Sequence, residues 1–181
     1  MQEQIFIESP RLLLRSWKDS DIDAYIKMNL DSIVMQYFPQ TVSPEETRTH
    51  IQKIKQHFET FHFGLYALEL KEEKRFIGFT GFSHPSFESF FTPCVEIGWR
   101  IDSPYWHRGL GTEAANACLN YGFKVLNLEK IVSFTSIHNS ASEKLMQKIG
   151  MQKITEFDHP KLASSHFLCK HVLYQIQRTT S

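Results

Sequence analysis

Trp106-His107-Arg108-Gly109-Leu110-Gly111-Thr112-Glu113-Ala114-Ala115 places two glycines where a loop turns into a helix. The first four N–H groups of a helix lack internal partners and carry the positive end of its dipole, so a phosphate can accept from several together. Gly109 and Gly111 can take positive φ and have no Cβ to hold a ligand off the backbone, while Arg108 adds a fixed positive charge at the mouth of the loop. The stretch reads as a phosphate cradle, against the plainer reading of a tight turn into a helix.

Two other phosphate motifs compete for it. A nucleoside-triphosphate P-loop is excluded, because no Gly-Lys-Ser/Thr follows a glycine spacer anywhere in the chain. Gly109-x-Gly111-x-x-Ala114 matches the loose dinucleotide fingerprint, which would make the chain a nicotinamide-dependent oxidoreductase. That fingerprint belongs directly after a strand, whereas residues 102–108 intervene here. Glu129 is also the only candidate for the acidic ribose ligand, expected about 20 residues on.

Immediately upstream, Val95-Glu96-Ile97-Gly98-Trp99-Arg100-Ile101 reads as a strand with a glycine inside it. Glycine weakens a strand unless a bulge or a close ligand is wanted there, and a bulge would free donors one loop before the cradle; the alternative is a plain barrel-corner glycine. Downstream, the helix from 112 to about 126 carries apolar stripes Ala115/Leu119/Gly122/Leu126 and Ala114/Cys118/Tyr121/Val125, so it packs deeply on a sheet.

Further out, 11–15 reads as a strand, and Asp19 or Ser20 as the cap of a helix through Ile22, Tyr25, Ile26 and Leu30. Ser43-Pro44-Glu45-Glu46 is a helix start with Ser43 as N-cap, Pro44 at N1 and Glu46 at N3, and Gly64 is placed at its end. Runs at 65–70, 75–82 and 93–101 form an antiparallel meander. A strand at 131–137, a helix opened by the capping box Ser140-Ala141-Ser142-Glu143 and closed by Gly150, and strands at 151–157 and 166–176 complete the chain. The expected architecture is α+β, a mixed, mostly antiparallel sheet flanked by helices, in a single domain over 1–181.

Composition narrows the function classes. With 41% hydrophobic and 22% charged residues the chain is ordinary globular protein, not a disordered one. Its 20 basic and 20 acidic side chains cancel, so no long-range field draws it to nucleic acid or an anionic membrane, and neither is expected as a partner. No apolar run approaches the about 20 residues needed to span a bilayer, and residues 1–15 lack a signal-peptide pattern. Cys94, Cys118 and Cys169, odd in number and without C-x-x-C spacing, argue for reduced thiols and a cytoplasmic location. The nine histidines show no metal-ligand spacing, and no metal is expected.

The strand 95–101, the loop Trp106 to Thr112 with Glu113-Ala114, and Asn139-Ser140-Ala141-Ser142 through Lys148-Ile149-Gly150-Met151 together resemble the GNAT superfamily of N-acetyltransferases. The similarity is closest to the branch that includes the ribosomal-protein-alanine acetyltransferases and extends from Arg11-Leu12-Leu13-Leu14-Arg15 to His171-Val172-Leu173-Tyr174. It implies a GNAT-like fold with a splayed fourth strand, and transfer of acetyl from acetyl-CoA to an amine. By position, amides near Trp99 and Ile101 would hold pantetheine, those of His107, Arg108, Gly109, Leu110, Gly111 and Thr112 the pyrophosphate, and Asn139 would touch the cofactor arm. The family loop usually begins with Gln or Arg, whereas Trp106 stands here, as it often does in the ribosomal branch.

The chemistry asks for a neutral amine, a stabilised oxyanion and a departing thiolate. An α-amine of pKa about 7.7–8.0 is partly neutral near pH 7.5, whereas a lysine at about 10.4 needs about 4 kcal/mol of help. Glu96 is the candidate proton acceptor if it faces the cleft at Gly98; the alternative is an ion pair with Arg100 on the same strand face. Ser142 resembles the serine proposed as general acid in the ribosomal branch, and a polar residue in a capped first turn explains it equally well. Phe87, Phe90 and Phe91 are expected to pack beneath their loop, against the alternatives of an acceptor pocket or a dimer contact, and Asp158-His159-Pro160 to form a turn. The expected activity is direct acetyl transfer to a primary amine by a monomer or homodimer, a peptide or protein N-terminus being one acceptor. The alternative is a non-catalytic acyl-CoA sensor of the same fold.

Overall fold

The computed structural model describes residues 4–178, and its spine is an eight-stranded sheet. The strands are β1 (Ile5–Glu8), β2 (Leu12–Arg15), β3 (Leu65–Leu70), β4 (Arg75–Ser83), β5 (Glu96–Ile101), β6 (Lys130–Ser136), β7 (Gln152–Asp158) and β8 (Lys170–Gln177). The helices are α1 (Ile22–Leu30), α2 (Pro44–Phe61), α3 (Leu110–Lys124) and α4 (Ser140–Lys148). Spatial order is β1-β2-β3-β4-β5-β6-β8-β7, antiparallel throughout except where β5 meets β6. The expected meander is β3-β4-β5, and the expected mixed sheet flanked by helices is present.

β1 is absent from the sequence reading, so the strand expected as the fourth is the fifth. Ile-Phe-Ile-Glu is too short to show alternation, and Ile5, half exposed, carries no burial signal. β1 is held as an edge by pairing with β2.

The two sheet faces are built differently. α3 and α4 cover one, with Ala114, Ala115, Cys118 and Met146 fully buried against Leu12, Leu14, Leu68, Phe82 and Ile97. Gly122 lets α3 approach, since a Cβ there would come within 2.6 Å of the Phe82 ring. On the other face α1 and α2 cover Trp17, Phe76 and Phe79. Beyond β5 that same face carries a small cluster, Val132, Phe157 and Leu173, overlain by Phe91 and Cys94 from the β4–β5 connection. Phe87 and Phe91 thus pack as expected on Phe134, whereas Phe90 stands out at 70% exposure.

Several boundaries shift for local reasons. Neither Asp19 nor Ser20 caps α1; both lie in a 3-10 turn, Asp19–Asp21, whose Asp21 takes the Lys18 amide and both terminal nitrogens of the buried Arg15. Ser43 and Glu46 form the expected reciprocal cap of α2. His62 rather than Gly64 ends α2, at φ 62; Gly64 is small because the Phe58 ring would lie 2.6 Å from its Cβ. α3 begins at Leu110, two residues early. α4 is capped by Asn139 and not by Ser140, because the Asn139 Oδ1 accepts from the Ser142 amide; Gly150 closes the helix at φ 84 as expected. β8 starts at Lys170 because residues 159–169 are spent in successive turns.

Candidate active site

β5 is where the sheet comes apart. Its pairing with β4 runs without interruption from Gly78/Ile101 to Ser83/Glu96, so of the readings open for Gly98 the bulge is not formed. The opening arises on the other edge: β5 and β6 pair only at Glu96/Val132, with the Val132 amide donating to the Val95 carbonyl at 2.9 Å. Past that point the strands diverge. Alternation along a strand turns every second residue's main-chain groups to one edge, so those of Trp99 and Ile101 face the gap. A Cβ at Gly98 would meet nothing nearer than a Glu96 carboxylate oxygen at 3.9 Å, which leaves that stretch of the gap open.

At the end of β5 the Trp106 indole donates to the Ile101 carbonyl at 2.7 Å and pins the following loop to the strand. That bond gives the tryptophan standing in place of Gln or Arg a mechanical role. His107 at φ 58 and Gly109 at φ 74 then turn the chain into α3. Positive φ therefore falls on His107 and Gly109, not on Gly111; Gly111 is small because a Cβ would lie 3.0 Å from Leu145 and 3.2 Å from Ile101. Among the described residues no acceptor takes the amides of Gly109, Leu110, Gly111 or Thr112. Arg108 holds its guanidinium over the Tyr105 ring at the exposed rim.

The loop rests on a brace that sequence reading missed. Glu113, in the first turn of α3, accepts from the Ser9 hydroxyl (2.7 Å), the Arg11 amide (2.8 Å) and the Arg11 guanidinium (2.6 Å), and Arg11 donates onward to the Arg108 carbonyl at 2.9 Å. Burial pushes the Glu113 carboxyl up, but these donors outweigh it and hold it below the usual carboxylate range. The residues are about a hundred positions apart in the chain, and no local pattern announces the contact.

Glu96 and Ser142 reach the gap from opposite faces. Ile97, Trp99 and Ile101 belong to the α3/α4 face, and the Trp99 indole donates to the Ser142 Oγ at 3.3 Å. Because that oxygen accepts, its own hydrogen is directed elsewhere. Glu96, Gly98 and Arg100 line the α1/α2 face. Burial pushes the Glu96 carboxyl up to about 8, with the Ser83 hydroxyl on the paired strand pulling the other way. The ion pair considered between Glu96 and Arg100 is not formed: Arg100 donates to Asn29 at 2.6 Å instead. Four residues along a strand separate the two by about 13 Å, beyond salt-bridge reach. Asn139 spends both ends of its amide internally, on the Ser142 amide and the Thr135 hydroxyl.

Cys94 and Cys118 offer no activated nucleophile. Burial pushes the Cys94 thiol up to about 11 and the Cys118 thiol up as well. Among the described residues no group of three or more His, Cys, Asp and Glu side chains is placed to hold a metal ion, and no helix is long and apolar enough to cross a membrane.

A family model described as the Acetyltransferase (GNAT) domain matches residues 11–152. The chain belongs to the GNAT acetyltransferase family. It is 34% identical over 149 residues to the uncharacterized N-acetyltransferase YnaD of Bacillus subtilis, covering 81% of this chain and 82% of that one. Its fold is similar to that of a GNAT-family acetyltransferase from Bacillus anthracis, with a TM-score of 0.79 at 29% identity over 96% of this chain and 98% of that one. A ribosomal L7/L12 alpha-N-protein acetyltransferase solved in complex with coenzyme A shares the fold at a TM-score of 0.78 and 17% identity, over 96% of this chain and 98% of that one. That likeness establishes the architecture and does not single out the ribosomal branch.

Proposed function

We propose that this chain carries acetyl from acetyl-CoA directly to a primary amine, a peptide or protein N-terminal amine being the favoured acceptor, in the cytoplasm and without metal or covalent enzyme intermediate. The observation that carries the reading is the gap beside β5, with unspent amides along it and at its end and a protonatable carboxyl and a hydroxyl on its two sides. The residues fit the ligand: the α3 amides of Gly109 to Thr112, joined by those of His107 and Arg108, would hold the pyrophosphate with the Arg108 charge beside them. Trp99 and Ile101 would offer main-chain groups to the pantetheine, and Asn139 would act through the α4 cap that sets Ser142 in place.

Bound acetyl-CoA supplies an activated acyl carbon as a thioester. Glu96 takes the proton of the attacking amine. With its pKa about 8 it matches an α-amine at about 7.7–8.0, so the proton moves nearly isoenergetically, whereas a lysine would be a poor donor to it. Ser142, oriented by the Trp99 indole, would donate a hydrogen bond to the departing sulfur while keeping its proton; the sulfur leaves as thiolate, since a thiol of pKa about 8.5 needs no stronger acid, and the amine proton stays on Glu96.

Thiol release from acetyl-CoA across a panel of α-amines, polyamines and lysine peptides tests this. Wild-type kcat/KM should rise with pH and level above about 8. Glu96→Gln should be slower by about 100-fold or more and retain only the pH dependence of the amine itself. An E96Q variant as fast as wild type, or a protein that gives no calorimetric heat with acetyl-CoA, would overturn the reading.

A further inference from the structure

Arg100 carries a charge that the proposed chemistry does not use. Its guanidinium is wrapped by Phe38 at 4.2 Å and Phe79 at 5.5 Å over its faces, and one terminal nitrogen, Nη1, donates to Asn29. Nε is sealed from water without a partner, and Nη2 makes none of the hydrogen bonds among the described residues. Nε and Nη2 form the edge of the guanidinium that grips a carboxylate with two parallel bonds. Among the described residues no carboxylate answers this charge: its polar neighbours include Asn29, the Tyr25 hydroxyl and His50, and burial together with Arg100 pushes the His50 pKa down to about 4, leaving it neutral. A buried cation is ordinarily paired, because an uncompensated one is strongly destabilising.

The position says what would pair it. Arg100 lies on the same strand face as Glu96 and Gly98, opposite the face on which α3 and its amides stand, so it does not serve the cofactor's phosphates. It follows Gly98 by one same-face repeat, about 7 Å. We propose that Nη2 of Arg100, the donor of this edge that is neither hydrogen-bonded nor sealed, receives a carboxylate of the acceptor, so that the substrate is an amine bearing a carboxylate several bonds from its nitrogen. This rests on the reading that places the amine beside Glu96. Two sources share the chemistry: a small amino acid with separated termini, and an acidic side chain next to a peptide N-terminus. Arg100 is then a specificity-determining residue; the two stacked rings hold its plane, and Asn29 fixes its rotation.

Isosteric acceptor pairs test it: 5-aminopentanoate against 5-aminopentanamide, and Ala-Glu-amide against Ala-Gln-amide. Wild type should favour the carboxylate member of at least one pair by about 10-fold or more in kcat/KM, and which pair does so identifies the source. Arg100→Met should abolish the preference, slow the neutral member far less than the charged one, and leave the KM for acetyl-CoA alone. Arg100→Lys, which keeps the charge and loses the fork, should lose most of the preference and covers the case in which the methionine variant does not fold. Equal rates within both pairs in wild type, equal slowing of both members in R100M, or a raised KM for acetyl-CoA would overturn the inference. Should no amine be acetylated at all, the catalytic reading fails, and calorimetry of the same compounds on the CoA-loaded protein decides this one. Heat with a carboxylate compound that R100M abolishes sustains it, and no heat with either overturns it.

Discussion

Glu96 is held in its protonated form by its surroundings, and that has a sign. A carboxyl whose pKa rises from about 4.3 in the unfolded chain to about 8 in the fold binds more protons folded than unfolded between those values. Stability therefore falls as pH climbs from about 4.3 to 8, and the full cost, of order 5 kcal/mol, applies above that window. Glu96→Gln removes the ionisation. Thermal melts should show the two proteins alike near pH 4.5 and E96Q the more stable at pH 8.5; parallel curves across the range would mean that the carboxyl is not held back. The sequence nominates Glu96 by its place on the strand and Ser142 through the family resemblance, but it does not report what surrounds them. The neighbour weighed as an alternative partner for Glu96, Arg100, turns to Asn29, a residue 71 positions away that no strand pattern connects to it.

The start of α3 concentrates three different demands on three neighbouring positions. Gly109 answers a backbone demand, since at φ 74 any other residue is strained; Gly109→Ala should cost about 1–2 kcal/mol and weaken acetyl-CoA binding, read by denaturant titration and calorimetry. Gly111 answers a packing demand between α4 and β5. Glu113 answers a mechanical one. Glu113→Ala strands the Ser9 hydroxyl, the Arg11 amide and the Arg11 guanidinium together, and should lower stability by about 1–3 kcal/mol while raising the KM for acetyl-CoA several-fold. An unchanged KM would mean that the loop keeps its shape unaided. Local chemistry of this kind was readable where it stayed local: the Ser43/Glu46 cap and the Gly150 stop follow from a few adjacent residues. Asn139 was passed over as a cap because Ser140 to Glu143 spells the same motif one residue later.

For the whole molecule, the meander and, β1 apart, the order of helices and strands were legible from periodicity and caps, and the family from the cradle and its flanks. The splay was expected only from resemblance, because register between distant strands is a tertiary property that Gly98 alone does not report. Acetyl-CoA lying in the gap would touch both halves of the sheet, so it should stabilise the molecule as a unit. At 100 times its Kd the gain is about 2.7 kcal/mol, a rise of about 5–10 °C in Tm for a chain of this size. A reduced nicotinamide dinucleotide should give no such rise, and a comparable one would return the dinucleotide reading of the glycine motif to contention.

The lone Glu96/Val132 bridge means that the sheet's weakest seam and its proposed ligand slot are the same place. Hydrogen bonds that most sheets spend on themselves are here kept unspent for a visitor. A sequence that zipped β5 onto β6 along their length would make a sturdier, inert protein. Selection for heat resistance should therefore find its gains in the helices and outer strands, and leave this seam unmended.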